Sequence, residues 1–329
     1  MVTKKRALCG MLVFLVCVMA TFVMSLQPCL GAEDPSVFPS KPITMIIPYA
    51  AGGSSDMIGR KLSELASKHI KQTIVVEAKP GGSGVLGTSF VANAAPDGYT
   101  LLLATDTPMY YVPHQRSVPY EPRDFTFIIQ VSEGSMPFVV RTDSKFKTFK
   151  EFVDEARKTQ LSYQSQGPKS SGNVIADYVF SLEKVKVRHI PGAGVSEVVR
   201  QLLGGHVDAG ITAGLGPQIK AGTIRPLAVA GEKRNKFYPD APTFSDLGYK
   251  ALIPFGAKFG VVGPKGLPPE IAKKLHDAFK KAYEEEAFAQ LNDNMLESRL
   301  YADPEAYRQY TIQAYEGLGK VLKDLGLGK

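Results

Sequence analysis

The feature that most constrains the fold is a regular alternation of short apolar runs with amphipathic segments, which begins near Lys41. Ile43–Ile47 has the apolar character of a buried strand, and Asp56–Ile70 places Ile58 and Leu62 on one helical face. Strand and helix patterns that alternate in this way predict α/β sheets with largely parallel strands. With 329 residues, of which 44% are hydrophobic and 22% charged, the chain is long enough for two domains of this class.

Local signals predict where the individual elements begin and end. Ser54 or Ser55 is expected to cap the helix that starts at Asp56, and Thr148 with Glu151 forms the pattern of a capping box. The predicted strands are Thr73–Val76, Tyr99–Ala104, Leu161–Tyr163, Val185–Ile190, His206–Thr212, Ile224–Ala230 and Phe255–Val262, and the further helices are Val85–Ala95, Asn173–Leu182, Ser196–Leu203, Glu270–Glu285 and a helical tail to Leu325.

The first 32 residues have the layout of a cleaved secretory signal peptide: the basic residues Lys4–Arg6, an apolar run, and small residues near Gly31. The apolar run is close to spanning length, so an uncleaved anchor is the alternative. Gln27 and Pro28 stand where small residues would precede a lipid-modified cysteine, which disfavours a lipoprotein attached through Cys29. We therefore expect a periplasmic protein. All three cysteines lie in this segment, so thiolate chemistry is excluded from the mature chain.

The charge of the chain is mildly basic. Cleavage removes three of the seven net positive charges and leaves about +4. This balance is compatible with an anionic ligand, although a solvated basic surface explains it equally well. No run of Lys and Arg suggests nucleic-acid binding.

A glycine-rich loop, Pro80–Gly87, contains the spacing Gly82-x-Gly84-x-x-Gly87 of a dinucleotide-binding fingerprint, with Asp106 about twenty residues later. In that motif the first glycine follows its strand almost directly, but here Glu77–Gly81 intervene. The loop also belongs to the second strand–helix unit of its domain. The sequence therefore predicts a turn and helix start, and no cofactor.

Catalytic and metal sites find little support in the sequence. There is no G-x-S-x-G motif, and the five histidines are scattered without paired ligand spacing. Asp56, Asp106 and Asp208 are candidate catalytic carboxylates, but a helix N-terminal charge and two turn formers explain them better. We expect neither an enzyme nor a metal site.

The ends of the predicted strands carry glycine and small hydroxyl residues, in segments such as Tyr49–Ser55 and Gln164–Ser171. Ligands of α/β sheets bind beyond the carboxyl ends of the strands, and backbone N–H groups at helix starts hold carboxylate or phosphate. Two lobes with such loops facing a cleft describe a solute-binding protein that closes by a hinge motion.

Several ordered motifs between Phe38 and Leu325 resemble one known family. The stretch Ile47–Asp56, with Gly52-Gly53-Ser54-Ser55-Asp56, resembles the opening of the Bug-type extracytoplasmic solute receptors, the binding subunits of tripartite tricarboxylate transporters. Further similar stretches are Val76–Gly84, Ala94–Leu101, Leu203–Asp208, Ile219–Gly222 and Pro239–Phe244.

This resemblance implies a two-lobed type II periplasmic-binding-protein fold with a hinge of crossing strands. Lobe one would comprise residues 38–136 plus 257–329, and lobe two residues 137–256. It further implies a monomer that binds a small organic anion, a carboxylate in known members, and passes it to integral membrane permease subunits. Carried onto this chain, the ligand-binding residues would be Tyr49, Gly52, Gly53, Ser54, Ser55, Asp56 and Thr105 in lobe one, and Gln166, Ser170, Ser171, Pro191, Gly192 and the loop at Asp208 in lobe two.

The chain departs from the family pattern at three places. Ala50 stands where members often have Pro, and Pro191–Gly194 lacks the usual aromatic and cationic residues. The chain has no Trp, and Lys258 stands near the usual Trp of the hinge strand. One hypothesis is that Lys258 restores the missing cation; the alternative is a solvated surface lysine. The affinity of a Lys258→Ala variant and its salt dependence would separate the two.

Two other classes of function share parts of this pattern. A sensory ligand-binding component would use the same site but hand its signal to a regulatory partner, whereas an exported hydrolase would need turnover of its ligand. The sequence does not identify the ligand.

Overall fold

The computed structural model describes residues 34–231, 234–250 and 257–324, together with 326 and 328. The predicted signal peptide of residues 1–32, with Cys29, and the start of the predicted strand Phe255–Val262 lie outside these ranges. Among the described residues, none of the helices is both long enough and apolar enough to cross a membrane.

The strands and helices alternate along the chain, as the sequence predicts. The strands are β1 (Ile43–Ile47), β2 (Ile74–Ala78), β3 (Thr100–Thr105), β4 (Phe125–Gly134), β5 (Met136–Arg141), β6 (Ser162–Ser165), β7 (Arg188–Pro191), β8 (Ala209–Ile211), β9 (Ile224–Ala230), β10 (Ala257–Pro264) and β11 (Ser298–Ala302). The helices are α1 (Ser54–Ile70), α2 (Val85–Ala92), α3 (Val112–Gln115), α4 (Phe149–Ala156), α5 (Ser171–Leu182), α6 (Val195–Leu203), α7 (Gly216–Lys220), α8 (Pro269–Glu284), α9 (Glu286–Asn294) and α10 (Pro304–Asp324), with a π-helical turn at Thr107–Tyr111 and a 3-10 turn at Pro122–Asp124.

Two mixed sheets organise these elements. The first sheet has the order β11-β4-β10-β3-β1-β2, and the second has the order β7-β6-β8-β5-β9. β1 pairs in parallel with β2 and β3, and β6 pairs in parallel with β7 and β8. β10 is antiparallel to both its neighbours in the first sheet, as β5 is in the second, and β11 is antiparallel to β4. The prediction of largely parallel sheets was therefore wrong.

Apart from β11, the strands that pair antiparallel lie where the chain passes between the two sheets. β4 ends at Gly134 in the first sheet and β5 begins at Met136 in the second, with Ser135 between them. β9 belongs to the second sheet and β10, the next strand along the chain, to the first. Such strands lack the crossover helix that would bring the chain back in parallel. This is the two-lobed α/β fold with crossing strands that the resemblance implied.

The second sheet has an aromatic core around Phe138 of β5. Its ring lies 5.2, 5.0 and 6.0 Å from the rings of Phe149, Phe152 and Phe180, and each pair meets edge to face. Phe149 and Phe152 face inward because the capping box starts α4 at the right residue: the Thr148 hydroxyl accepts from the Glu151 N–H, and the Glu151 carboxylate accepts from the Thr148 N–H. The predicted capping box is confirmed.

Two local predictions were wrong. The N-cap of α1 is Gly53, with no side-chain capping hydrogen bond, because the helix begins at Ser54, two residues before the predicted start at Asp56. The predicted C-terminal helical tail is divided into α9, the strand β11 and α10. β11 lies at the sheet edge and alternates between half-buried and exposed positions, so its sequence carries little strand signal.

Gly260 of β10 allows α10 to pack directly on the first sheet. A Cβ at this position would lie 2.6 Å from the Tyr307 ring and 2.7 Å from the Ile129 carbonyl oxygen.

We expect Gly260→Ala to lower the free energy of unfolding by about 1–3 kcal/mol through overpacking. Gly317→Ala is the matched control: Gly317 is an exposed glycine within α10 with no atom within 4 Å of its Cβ position. This control should stabilise the helix by up to about 1 kcal/mol. Urea denaturation measures both, and equal values would contradict the packing argument.

Candidate functional site

The loop after β1 is held by one carboxylate. The Gly52 N–H donates to Asp56 Oδ2 at 3.0 Å, and Arg60 Nε donates to the other carboxylate oxygen at 2.8 Å. Gly52 has a φ of +89°, which favours glycine. The Asp56 carboxylate, which is 5% exposed as a residue, thus closes the loop on the first turn of α1. Asp56 therefore stabilises the conformation of the loop that contains the predicted site.

Ser54 begins α1 with its side chain turned into the protein. Its hydroxyl donates to Glu297 Oε1 at 2.7 Å, and the residue is 2% exposed. Gly214, which follows β8 of the second sheet, lies against it: a Cβ on Gly214 would stand 2.1 Å from Ser54 Oγ. The neighbouring Ser55 is also buried. Ser54 therefore lies where the two lobes meet.

A network of hydroxyl and amide groups joins the lobes at Thr107, directly after β3. Thr107 Oγ1 lies 3.0 Å from Ser171 Oγ, accepts from the Ser171 N–H at 3.2 Å and accepts from Gln166 Nε2 at 3.2 Å. Gln166 Oε1 accepts in turn from the Thr212 hydroxyl at 2.9 Å. The start of α5 is fixed by Ser170, whose side chain accepts from the Asn173 N–H. Gln166, Ser170 and Ser171 are thus brought to the interlobe contact.

Three further groups of contacts join the lobes directly. Ser196 Oγ donates to the Ala51 carbonyl at 2.9 Å, and Ser83 Oγ donates to the Pro168 carbonyl at 2.7 Å. The Gln115 side chain and the Lys169 ammonium each donate to the other residue's carbonyl, at 3.1 and 2.7 Å. The lobes therefore touch directly at each of these places.

A cavity of about 480 Å³ lies between the lobes. Tyr49 forms part of its wall, and the Tyr49 hydroxyl accepts from Thr105 Oγ1 at 3.4 Å. Burial raises the pKa of Tyr49 far above its usual value, so its phenol stays neutral. The remaining lining comes from loops of both lobes: Pro80, Gly81, Gly82, Ser83, Gly84, Gln166, Gly167, Pro168, Pro191, Gly192, Ala193 and Glu197.

The loop with the dinucleotide-like spacing therefore forms the rim of this cavity. Gly82 and Gly84 have φ values of +56° and +90°, and the Gly84 Cα lies close to the Tyr49 ring: an added Cβ would stand 3.2 Å from its hydroxyl. The Gly82 carbonyl accepts from Arg116 at 2.7 Å. The glycines of this loop thus allow tight turns at the rim of the cavity.

Apart from Asp56 and Asp208, the predicted residues divide into two groups. Tyr49, Gln166, Pro191 and Gly192 line the cavity, whereas Gly52, Gly53, Ser54, Ser55, Thr105, Ser170 and Ser171 belong to the loops that meet beside it. Gly53 packs against Val195, whose side chain would lie 3.2 Å from an added Cβ.

Asp208 lies apart from this group. It stands before the amino end of β8, and its carboxylate accepts from the N–H and hydroxyl of Ser162 at 2.7 and 2.9 Å. Parallel strands β6 and β8 have their carboxyl ends at the opposite edge. Asp208 thus joins two strands at the far end from the cavity, and Thr212 and Gly214 are the residues of this segment that reach the interlobe contact.

Two buried carboxylates lie beside the loops; sequence reasoning weighed Asp106 but missed Glu297. Asp106 is 3% exposed, and its Oδ2 has no hydrogen-bond partner among the described residues; burial raises its pKa to about 6, against the opposing effects of Ser171 and Lys258. Glu297 is also 3% exposed, and burial raises its pKa to about 7, partly offset by the Ser54 hydrogen bond. Asp106 follows a predicted strand and was interpreted from the sequence as a turn former. Glu297 is 243 positions from Ser54, so no local pattern indicates it.

Lys258 of β10 ion-pairs with Glu133 on the neighbouring strand β4, and its ammonium lies 5.1 Å from the centre of the Tyr310 ring. Its side chain is 11% exposed, which contradicts a solvated surface lysine. The hypothesis that it supplies a cation to the ligand remains a prediction.

Comparisons with known proteins agree with this architecture. The model of the tripartite tricarboxylate transporter family receptors matches residues 58–327. A protein of Cupriavidus necator, named UPF0065 protein in gbd 5'region, is 34% identical over 314 residues, with 94% of this chain and 95% of that protein covered.

Solved structures show the same fold. The periplasmic binding protein BugD superposes with a TM-score of 0.81 at 29% identity, covering 89% of this chain and all of that one. MatC from Rhodopseudomonas palustris with bound malate superposes with a TM-score of 0.80 at 24% identity, covering 87% of this chain and 100% of that one. The chain belongs to the tripartite tricarboxylate transporter receptor family, whose members are solute-binding proteins.

Proposed function

We propose that this protein is an extracytoplasmic receptor that captures a small organic carboxylate between its lobes and delivers it to the permease subunits of a tripartite transporter. The observation that carries the proposal is the cavity of about 480 Å³ between two lobes that meet through backbone and hydroxyl groups. Its volume lies within the usual range for sites of small-molecule ligands. MatC, which shares the fold, is known with bound malate.

The loops at the interlobe contact are suited to carboxylate binding. α1 and α5 begin at Ser54 and Ser171, both at this contact, and the N-terminus of a helix favours an anion through its unpaired N–H groups and its dipole. We assign the ligand contacts to Tyr49, Gly52, Gly53, Ser54, Ser55, Thr105, Gln166, Ser170, Ser171, Pro191 and Gly192, with Asp56 in a supporting role.

The proposal includes the domain boundaries, the export of the chain and its oligomeric state. Lobe one comprises residues 38–136 plus 257–329 and lobe two residues 137–256, a division supported by the membership of the strands in two sheets. Residues 1–32 direct export and are removed, so that the mature receptor is periplasmic. The mature receptor is also a monomer. The intact mass of the exported protein, native and denatured, tests both points.

The ligand class is tested by thermal-shift measurements with malate, succinate, adipate and citrate, together with mass spectrometry of acids released from the native protein. A bound acid stabilises the folded state by about 2.7 kcal/mol at 100 times its Kd. We expect at least one carboxylate to raise the melting temperature by several degrees and to be recovered chemically unchanged. Stabilisation by none of the acids, or recovery of a converted product, would contradict the proposal.

Closure of the lobes is tested at Gly214. A methyl group there would stand 2.1 Å from Ser54 Oγ, so Gly214→Ala should keep the lobes apart and raise the Kd of the bound acid at least about tenfold. Gly222→Ala is the matched control: Gly222 also has a positive φ, +67°, but no atom lies within 4 Å of its Cβ position. Backbone strain is therefore common to both variants. Equal effects on affinity would show that strain, and not interlobe contact, is responsible.

A further inference from the structure

A buried carboxylate lies directly behind the hydroxyl of Ser54. Glu297 Oε1 accepts a hydrogen bond from Ser54 Oγ, with 2.7 Å between the two oxygens, and both residues are at most 3% exposed. The second oxygen, Oε2, has no hydrogen-bond partner among the described residues. Glu297 lies between α9 and β11, next to Gly134 at the end of β4, where the chain crosses from one sheet to the other. The pair thus occupies the hinge side of the interlobe contact.

The surroundings of Glu297 contain little charge to balance an ionised carboxylate. Burial, and to a smaller extent the Glu297 charge, raise the pKa of the Tyr238 phenol, which is itself hydrogen-bonded to Ser135. On the adjoining elements, Asp56 of α1 pairs with Arg60, Glu133 of β4 pairs with Lys258 of β10, and Arg299 of β11 donates to the Tyr283 carbonyl at 3.4 Å. No cation therefore pairs with Glu297 within the described part of the chain.

The state of Glu297 decides what Ser54 offers to a ligand. When Glu297 is ionised it only accepts, so the Ser54 hydrogen is committed to it and Ser54 Oγ has only lone pairs left. A ligand carboxylate would meet those lone pairs unfavourably. When Glu297 is protonated it becomes a donor to Ser54 Oγ, and the Ser54 hydrogen is free to turn toward the ligand. One proton on Glu297 thus converts Ser54 from an acceptor into a donor.

We propose that Glu297 is a positioning residue that controls the hydrogen-bonding direction of Ser54, so that the receptor takes up one proton when it binds its anionic ligand. This inference rests on the proposed function and assigns it a proton dependence. A ligand carboxylate nearby also disfavours a second negative charge, so ligand and proton favour each other's binding. The raised pKa of Glu297, about 7, brings this exchange into an accessible range.

The experiment is a calorimetric titration of the full-length mature protein with malate, or with citrate if malate does not bind, from about pH 5.5 to about pH 9. Both acids keep ionised carboxylates above pH 7, so their own titration does not interfere there. Because only the protonated receptor binds well, the Kd should be flat at low pH. Above the Glu297 pKa it should rise by up to about tenfold per pH unit. Titrations in two buffers of different ionisation enthalpy should give uptake of up to one proton per ligand near pH 8.

Glu297→Gln is the informative variant, since its amide donates to Ser54 as the protonated acid does. Its Kd should stay within a few-fold of the wild-type value at low pH and should not change with pH. Ser54→Ala should bind more weakly, and its Kd should change less with pH near pH 7 than that of the wild-type protein. Asp106→Asn is the matched control, because it removes the other buried carboxylate with a raised pKa. In this control the rise of the Kd above pH 7 should persist.

Several outcomes would overturn the inference. A wild-type Kd that does not change between about pH 6 and about pH 9, without proton uptake, removes the coupling but leaves the receptor function intact. The coupling is also refuted, with the receptor function intact, if the pH dependence of the Kd persists in Glu297→Gln or disappears in Asp106→Asn. If Glu297→Gln fails to fold, the two-buffer measurement on the wild-type protein still decides. Failure of every acid to bind at any pH would instead overturn the proposed function itself, and the coupling with it.

Discussion

The close approach of the two lobes is the constraint on which the rest of the structure depends. Gly214 lies so near Ser54 that a single methyl group would collide with its hydroxyl, and Thr107 of one lobe accepts two hydrogen bonds from the other. Side chains of ordinary size would hold these loops apart. Glycine and small hydroxyl residues let the backbones meet while the hydroxyls of Ser54, Thr107 and Ser196 find partners, which is the requirement for burying polar groups. Loops of both lobes line the cavity, so the contact between the lobes encloses it.

Burial of carboxylates beside an anion site needs an explanation, because desolvation disfavours a charged group and an anionic ligand disfavours it further. Asp106 and Glu297 both have an oxygen without a partner among the described residues, and both have raised pKa values. In its neutral form Glu297 becomes a hydrogen-bond donor next to Ser54, which suits the binding of a carboxylate. The apparent conflict between the buried Glu297 and an acidic ligand therefore disappears if a proton accompanies the ligand.

Local patterns in the sequence predicted many of the elements but not how their strands pair. The capping box at Thr148 and the apolar periodicity of Asp56–Ile70 depend on neighbours a few residues apart, so they could be recognised from the chain alone. The directions of β4, β5 and β10 depend on the crossing between sheets, which adjacent residues do not record. β11 was missed for a similar reason, since an edge strand needs little apolar character. Ser54 was misassigned as a cap because its acceptor, Glu297, is remote in sequence.

The sequence by itself determined the α/β class, the strand ends rich in glycine and hydroxyl residues, and, through ordered motifs along the chain, the receptor family. Each of these is a matter of local chemistry or of spacing along one segment. Only the tertiary structure decided which loop residues meet: Thr107 with Ser171, Ser54 with Gly214 and Glu297, and Asp208 away at the opposite edge of its sheet. Burial and the partners of a charge depend on segments far apart in the chain, so the raised pKa values of Asp106 and Glu297 became apparent only once the lobes were assembled.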